Sequence, residues 1–232
     1  MVSGTLAIIV AAGSGRRFGS PLPKQFCMLG TMPVLGHTIG RLRSLLPGDA
    51  RIALVLHPDY FEVWKELAQE YGTAREDILV AGGATRAESV SNALNACHPG
   101  LDELVLVHDG VRPFVTAEIL EGLYSAIADG ADCAIPAVGL TDSIRRLDAD
   151  GTSESVDRSM FRAVQTPQAF PGGTLVEAYR KARTDFGLEG FTDDASVVAR
   201  CIPGARTMLT AGSPYNIKIT NPFDLKIAEA LL

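Results

Sequence analysis

Basic residues are in short supply: 21 lysines and arginines stand against 27 aspartates and glutamates, leaving a formal net charge of −6. A general nucleic-acid binder needs a clustered excess of cations to replace counterions along the phosphates, so no nucleic-acid partner is expected. Any anion site on this chain has to be local. Cysteine is also sparse, and Cys27, Cys97, Cys133 and Cys201 form neither a C-x-x-C pair nor a tight framework. That scatter predicts reduced thiols in a cytoplasmic protein. Long apolar runs are missing. The first, "LAIIV" at residues 6–10, is far too short to span a bilayer and has no basic n-region before it, so neither a membrane partner nor a signal peptide is expected. Internal repeats and low-complexity tracts are absent as well, and the sequence shows no obvious linker.

What remains is the composition of one well-buried domain: 232 residues, 47% of them hydrophobic. Short apolar runs alternate with helical patterns, at "LAIIV", "IALVL" (52–56), "ILVAG" (78–82), "LVLVH" (104–108) and "CAIPAV" (133–138). This rhythm predicts an α/β fold with a mostly parallel sheet flanked by helices. Val34, Leu35, Thr38, Leu42 and Leu45 recur at helical spacing, as do Phe61, Trp64, Leu67 and Tyr71. Thr85 and Glu88 read as a capping box, Thr116 as the cap of a fourth helix, and Asn221 with Pro222 as the start of a C-terminal one. Residues 139–157 break the rhythm. There "GLTDSIRRLDADGTSESV" alternates polar and apolar residues around an Asp-Gly turn, which predicts a projecting β-hairpin, either a lid or, preferred here, a dimerisation arm.

The stretch "AAGSGRRFGSPLPKQ" (11–25) follows the first strand, at the sheet edge where open α/β folds bind ligands. Small residues there let backbone amides approach an anion, and Arg16, Arg17 and Lys24 add positive charge suited to a polyphosphate in nucleotidyl transfer. The spacing fits neither a P-loop nor the dinucleotide fingerprint, whose third glycine would fall at Phe18. A plain glycine turn with solvated basic neighbours is the competing explanation. Other segments converge on the same edge: "GGATRAES" with Gly82, Gly83 and Ser89, "VHDGVRPF" with Asp109 and Arg112, and "VQTPQAF" with Thr166. His108 is expected to be structural, because adjacent strand positions face opposite sides and no nucleophile elbow accompanies the His-Asp pair. Lys218, alone among apolar residues of "NIKIT", is read as lying on a short strand and facing an anion.

In this order, "AAGSGRRF", "PKQF", "GGATRAESV", "VHDGVRPF", "VDRS", "QTPQAF", "FTDDASVV" and "NIKIT" make the chain similar over nearly its whole length to the 2-C-methyl-D-erythritol 4-phosphate cytidylyltransferases of the non-mevalonate isoprenoid pathway. The resemblance implies a nucleotidyltransferase fold with a Rossmann-like sheet, and a homodimer in which the arm of one subunit closes the site of the other. It implies that Ala11, Ala12, Gly13, Gly83 and Ser89 hold the cytidine end of CTP and that Gly15 wraps the phosphates. Arg17 and Lys24 would stabilise transition-state charge. Asp109, Gly110, Arg112 and Thr166 would receive the polyol. Arg158 and Lys218 would position its phosphate, with Arg158 and Ser143 coming from the partner. Mg²⁺ is expected, held mainly by the CTP phosphates, and no protein ligand is assigned to it.

Some positions depart from the commonest pattern of that family: Ala84 replaces a frequent carboxylate, Ser143 a frequent threonine, and "HDGVRPF" the frequent "HDAARP". Ribitol 5-phosphate cytidylyltransferases share much of the pattern, but the "AAG" opening, "VDR" and "FTDDASVV" favour methylerythritol phosphate. A non-catalytic nucleotide-binding module and an NAD-dependent oxidoreductase are weaker alternatives: the first needs no basic groups on both substrates, and the second needs the missing glycine. With Lys24 assigned to transition-state charge, Lys24→Ala is expected to lower kcat by about 10²- to 10³-fold without changing the circular dichroism spectrum. Turnover at the wild-type level in the folded variant would remove Lys24 from the mechanism.

Overall fold

The computed structural model describes residues 4–13 and 22–232. Arg16, Arg17 and Gly15 lie outside the described residues. The chain runs β1 (Thr5–Val10), β2 (Met28–Leu29), β3 (Met32–Pro33), α1 (Val34–Leu45), β4 (Arg51–Leu56), α2 (Phe61–Glu70), β5 (Ile78–Ala81), α3 (Arg86–Cys97), β6 (Leu104–Asp109) and α4 (Ala117–Ala128). It continues with β7 (Cys133–Gly139), β8 (Arg145–Leu147), β9 (Ser153–Ser155), β10 (Arg162–Val164), β11 (Gln168–Pro171), α5 (Gly172–Lys181), α6 (Asp194–Cys201), β12 (Thr207–Ala211) and α7 (Pro222–Glu229).

Among the described residues, eight strands form the main sheet in the order β10-β7-β11-β6-β1-β4-β5, with β12 also paired to β7. The expected parallel rhythm holds for β6-β1-β4-β5 and for β7-β12. The sheet is mixed because β11 enters antiparallel between β6 and β7, and β10 pairs antiparallel with the end of β7. β10 ends and β11 begins within the "VQTPQAF" segment, which lies outside the apolar runs that marked the other strands.

β1, β4 and β6 are buried almost throughout, because helices cover both faces of the sheet. One apolar layer packs Leu35, Ile39, Trp64, Leu120 and Leu123 on one face, and another packs Val90, Leu94, Leu175 and Val198 on the opposite face. All four cysteines are free thiols.

Two of the expected caps differ in detail. The Thr85 hydroxyl accepts from Glu88 N–H at 3.0 Å, but Glu88 Oε2 takes the N–H of Ala84 at 2.8 Å, one residue ahead of the capping-box position. Thr116 flanks α4 without a side-chain bond to the helix backbone. Asn221 caps α7 in a complete box with Asp224. The hairpin forms as expected: β8 pairs antiparallel with β9 across a turn in which Gly151 takes φ +85°. No described helix is long and apolar enough to cross a membrane.

The strand order puts β4 and β5 on one side of β1 and β6 on the other, so the crevice beside β1 is a topological switch point. Its floor is tightly packed. A Cβ on Gly82 would stand 2.3 Å from Ala12 Cβ, and one on Gly110 would stand 2.8 Å from Ala11 Cβ. Gly82→Ala should therefore cost about 1–3 kcal/mol of stability, read as a lower urea midpoint. The double variant Ala12→Gly/Gly82→Ala should be more stable than Gly82→Ala alone, and equal midpoints would mean that the two side chains do not compete for this space.

Candidate active site

A cleft of about 900 Å³ opens over the carboxyl ends of β1, β4, β5 and β6. Ala11, Ala12 and Gly13 leave β1 along its floor, Gly82 to Arg86 leave β5 at one end, and Asp109 ends β6 at the other. Lys24, Ser89 and Lys218 also line it. The structure thus brings together eight of the expected site residues: Ala11, Ala12, Gly13, Lys24, Gly83, Ser89, Asp109 and Lys218.

The backbone end is held open by side chains that hydrogen-bond to the loops. Gln25, only 2% exposed, donates its Nε2 to Ala11 O at 2.6 Å and to Gly13 O at 3.3 Å. Ala11 N–H is used on Val55 O at 2.9 Å, so Ala11 contributes shape rather than a donor. The Ser89 hydroxyl accepts from Gly83 N–H at 3.0 Å and donates to Thr85 O at 2.9 Å. Ser89 therefore braces the Gly83 turn.

The other end is ionic. Asp109 Oδ2 lies 2.9 Å from Lys218 Nζ and 3.4 Å from Arg112 Nε, while Oδ1 lies 3.5 Å from Arg86 Nε. Burial opposes ionisation of Asp109, but Arg86, Lys218 and Arg112 outweigh it and hold the carboxyl far below its usual range. Lys218 is not on a strand, as the apolar spacing of "NIKIT" had suggested: residues 217–220 form no regular element, and one backbone bond, Ile219 N–H to Val111 O at 3.0 Å, ties them to the segment that follows β6. The anion that meets its ammonium is Asp109.

Arg112, Thr166 and Gly110 stand behind the cleft wall. Arg112 donates Nη1 to Asn216 O at 2.7 Å, anchoring the segment that carries Lys218. The Thr166 hydroxyl accepts from Asp109 N–H at 3.0 Å and contacts His108 Nδ1 at 3.1 Å. Gly110 N–H donates to Val10 O at 2.9 Å, closing β6 against β1. Each of these three, expected to receive the polyol, orients Asp109 or its neighbours. Ser143 and Arg158 are exposed on the hairpin and just after it, and Arg158 donates to the Thr141 carbonyl of its own arm. Arg17 and Gly15 fall outside the described residues.

His108 is structural, as expected, and fully buried. Its Nε2 lies 2.9 Å from the Arg112 carbonyl, which can only accept, so Nε2 carries the proton and Nδ1 accepts from Thr166. Burial pulls its pKa down to about 4.

Four cleft residues had no role assigned from the sequence. Gln25 lies in the quoted "PKQF", but nothing local shows that it reaches back across the loop. Arg86 bonds Asp194 Oδ2 at 2.7 Å across 108 positions of sequence, beyond the reach of any spacing rule. His57 and Asp59 follow β4 at the same sheet edge, and the rule that singled out the ends of β1, β5 and β6 applies equally to them.

A Rossmann-like mixed sheet with small-residue backbone at one end of an edge cleft and paired cations at the other defines a nucleotidyltransferase. The model of the 2-C-methyl-D-erythritol 4-phosphate cytidylyltransferase family matches residues 5–232. A cytidylyltransferase of that name from Bacteroides thetaiotaomicron is 45% identical over 97% of this chain and 98% of its own length. The crystal structure of 4-diphosphocytidyl-2C-methyl-D-erythritol synthase from Anaerococcus prevotii superposes with a TM-score of 0.80 at 28% identity, covering 98% of this chain and 97% of that one. The Thermus thermophilus cytidylyltransferase gives 0.74 at 32% identity, covering 98% of each. The chain belongs to the 2-C-methyl-D-erythritol 4-phosphate cytidylyltransferase family. It joins CTP to that substrate in isoprenoid precursor synthesis, giving 4-diphosphocytidyl-2-C-methyl-D-erythritol and pyrophosphate, and the ribitol phosphate, binding-module and oxidoreductase alternatives are not favoured.

The lowered pKa of His108 has a consequence for acid stability. An unfolded His108 takes up a proton below its ordinary 6.5, whereas the folded one does so only near 4, so the stability it contributes is complete above pH 6.5 and is lost as pH falls toward 4. The loss should be on the order of 3 kcal/mol. Urea midpoints at pH 7 and pH 4.5 should lie closer together in His108→Gln than in the wild type. An unchanged gap would show that other groups carry the acid sensitivity.

Proposed function

We propose that CTP lies along the cleft with cytosine and ribose against Ala12, Gly13 and the Gly83 turn, its phosphates under Gly15, Arg17 and Lys24, and the methylerythritol phosphate beside Asp109 and Lys218. The observation that carries this arrangement is the polarity of the cleft, backbone-lined beyond β5 and ionic beyond β6. A phosphate monoester is already ionised at neutral pH, so no protein base is needed. One of its oxygens attacks the CTP α-phosphorus in line, the bond to the bridging oxygen breaks, and pyrophosphate leaves with that electron pair. Lys24 and Arg17 neutralise charge growing on the α-phosphoryl and pyrophosphate oxygens. Lys218 fixes the attacking phosphate.

Mg²⁺ fits this site as a companion of the nucleotide. Both Asp109 oxygens face cations, and the described residues hold no cluster of three or more metal-ligating side chains, so the triphosphate oxygens would supply most of its ligands. When bound it would neutralise phosphate charge.

We further infer that residues 1–232 form a single catalytic unit working in the cytoplasm as a homodimer, with residues 139–157 as the arm. Leu147 beside the β8–β9 turn is 77% exposed and Met160 just after the arm is 79% exposed, with Phe161 and Val164 exposed after it, apolar side chains of the kind that a subunit interface covers. Arg158 and Ser143 then reach the neighbour's Lys218 end. On this arrangement Lys24→Ala and Arg158→Ala, each nearly inactive alone, should regain up to about a quarter of wild-type activity when mixed, since one heterodimer site in two is intact. No recovery despite subunit exchange shown by mass spectrometry would mean that each site is built within one chain.

A further inference from the structure

The ionic end of the cleft holds one cation without a task in the mechanism above. Arg86 opens α3 between two carboxylates. Its Nη1 donates to Asp194 Oδ2 at 2.7 Å, and Asp194, fully buried, also accepts from the Tyr179 hydroxyl at 2.6 Å, so this side of the guanidinium is anchored. The other side is loose. Nε stands 3.5 Å from Asp109 Oδ1, and the adjacent Nη2 is buried with no hydrogen-bond partner among the described residues. Nε and Nη2 are the two prongs that grip a carboxylate in a bidentate pair, and a buried prong left idle is costly. Asp109 instead spends its shorter contact, 2.9 Å, on Lys218.

We propose that Arg86 is a positioning residue that takes over Asp109 when the substrate's phosphate claims Lys218. The inference rests on the reading of Lys218 as the phosphate anchor. As the phosphate arrives, it competes with Asp109 for the ammonium. Without another partner, Asp109 would be left as an under-paired carboxylate in a buried place, which opposes the exchange. With Arg86 the carboxylate turns onto the Nε–Nη2 fork, both prongs are filled, and Lys218 is released. One ion pair replaces another, no covalent bond changes, and the guanidinium stays put because Asp194 holds it. An ammonium at position 86 would keep the Asp194 pair but offer no fork.

The test is the affinity of the enzyme, saturated with a non-cleavable CTP analogue, for 2-C-methyl-D-erythritol 4-phosphate, measured by calorimetry. Arg86→Lys should weaken this binding by about tenfold or more while changing affinity for the CTP analogue less than about twofold, and in an Asp109→Asn background the same substitution should have no further effect. Lys218→Ala is the control for the reading beneath: if it leaves substrate affinity unchanged, Lys218 is not the anchor and both ideas fall. If Lys218→Ala weakens binding and Arg86→Lys does not, or if Arg86→Lys weakens both ligands equally or acts undiminished without Asp109, the exchange alone is overturned. Should Arg86→Lys fail to fold, Arg86→Gln/Asp194→Asn, which removes both buried charges together, carries the same expectation.

Discussion

The Asp109 carboxylate is the point on which this site depends. It ends β6, the strand beside β1 at the switch point, and it gathers cations from three separated segments: Arg86 from α3, Arg112 from the turn after β6, and Lys218 from the stretch before α7. Its backbone is fixed as well, by the Thr166 hydroxyl from the antiparallel side of the sheet. Burying an ionised carboxylate is costly unless its charge is answered, and here Arg112 answers it from the adjoining turn while Arg86 and Lys218 come from distant parts of the chain. The ion cluster therefore closes the tertiary structure around one end of the cleft. It also sets the local sign, since Arg86, Arg112 and Lys218 outnumber Asp109 and Asp194 and leave positive charge in excess in a chain that is acidic as a whole.

The opposite end depends on packing. Ala11 and Ala12 descend from β1 against Gly110 and Gly82, with no room for a further Cβ on either glycine. Gln25 and Ser89, both nearly fully buried, tie the loop backbone on either side. Small side chains leave the backbone itself lining this end of the cleft, where the proposed arrangement puts the base and sugar, and the buried polar groups keep that backbone from relaxing into the space. Rigid walls spare the ligand the ordering cost that a mobile loop would impose.

How much of this the sequence discloses follows from the range of each interaction. The parallel strands beside β1 and the hairpin were legible because apolar runs and an Asp-Gly turn are local signals. β10 and β11 were not, because they are short strands whose partners lie far along the chain. The ligand-facing edge was legible from glycines following strands, and Lys24, Asp109 and Lys218 fall on it as expected. That Thr166, Gly110 and Arg112 brace Asp109 and its neighbours was not legible, because the hydrogen-bond partners that show it lie at sequence separations such as 57 and 104. Arg86 sat inside a quoted motif without a role for the same reason: Asp194, which fixes it, belongs to α6.

The two ends of the cleft meet a physical requirement of the reaction. CTP and a phosphate monoester repel each other, so a site that binds both has to place cations where the reacting phosphates converge without leaving bare charges when it is empty. Pairing Lys218 with Asp109 keeps the ammonium compensated and already aimed into the cleft. On the proposed arrangement the carboxylate holds the place that a phosphate oxygen takes on Lys218, and the fold supplies its position before substrate arrives. Preorganisation of this kind lowers the reorganisation needed at the moment of attack, which is where electrostatic catalysis gains most. On the same proposed arrangement the small residues at the other end hold the nucleotide by shape, so that charge is concentrated only where bonds change.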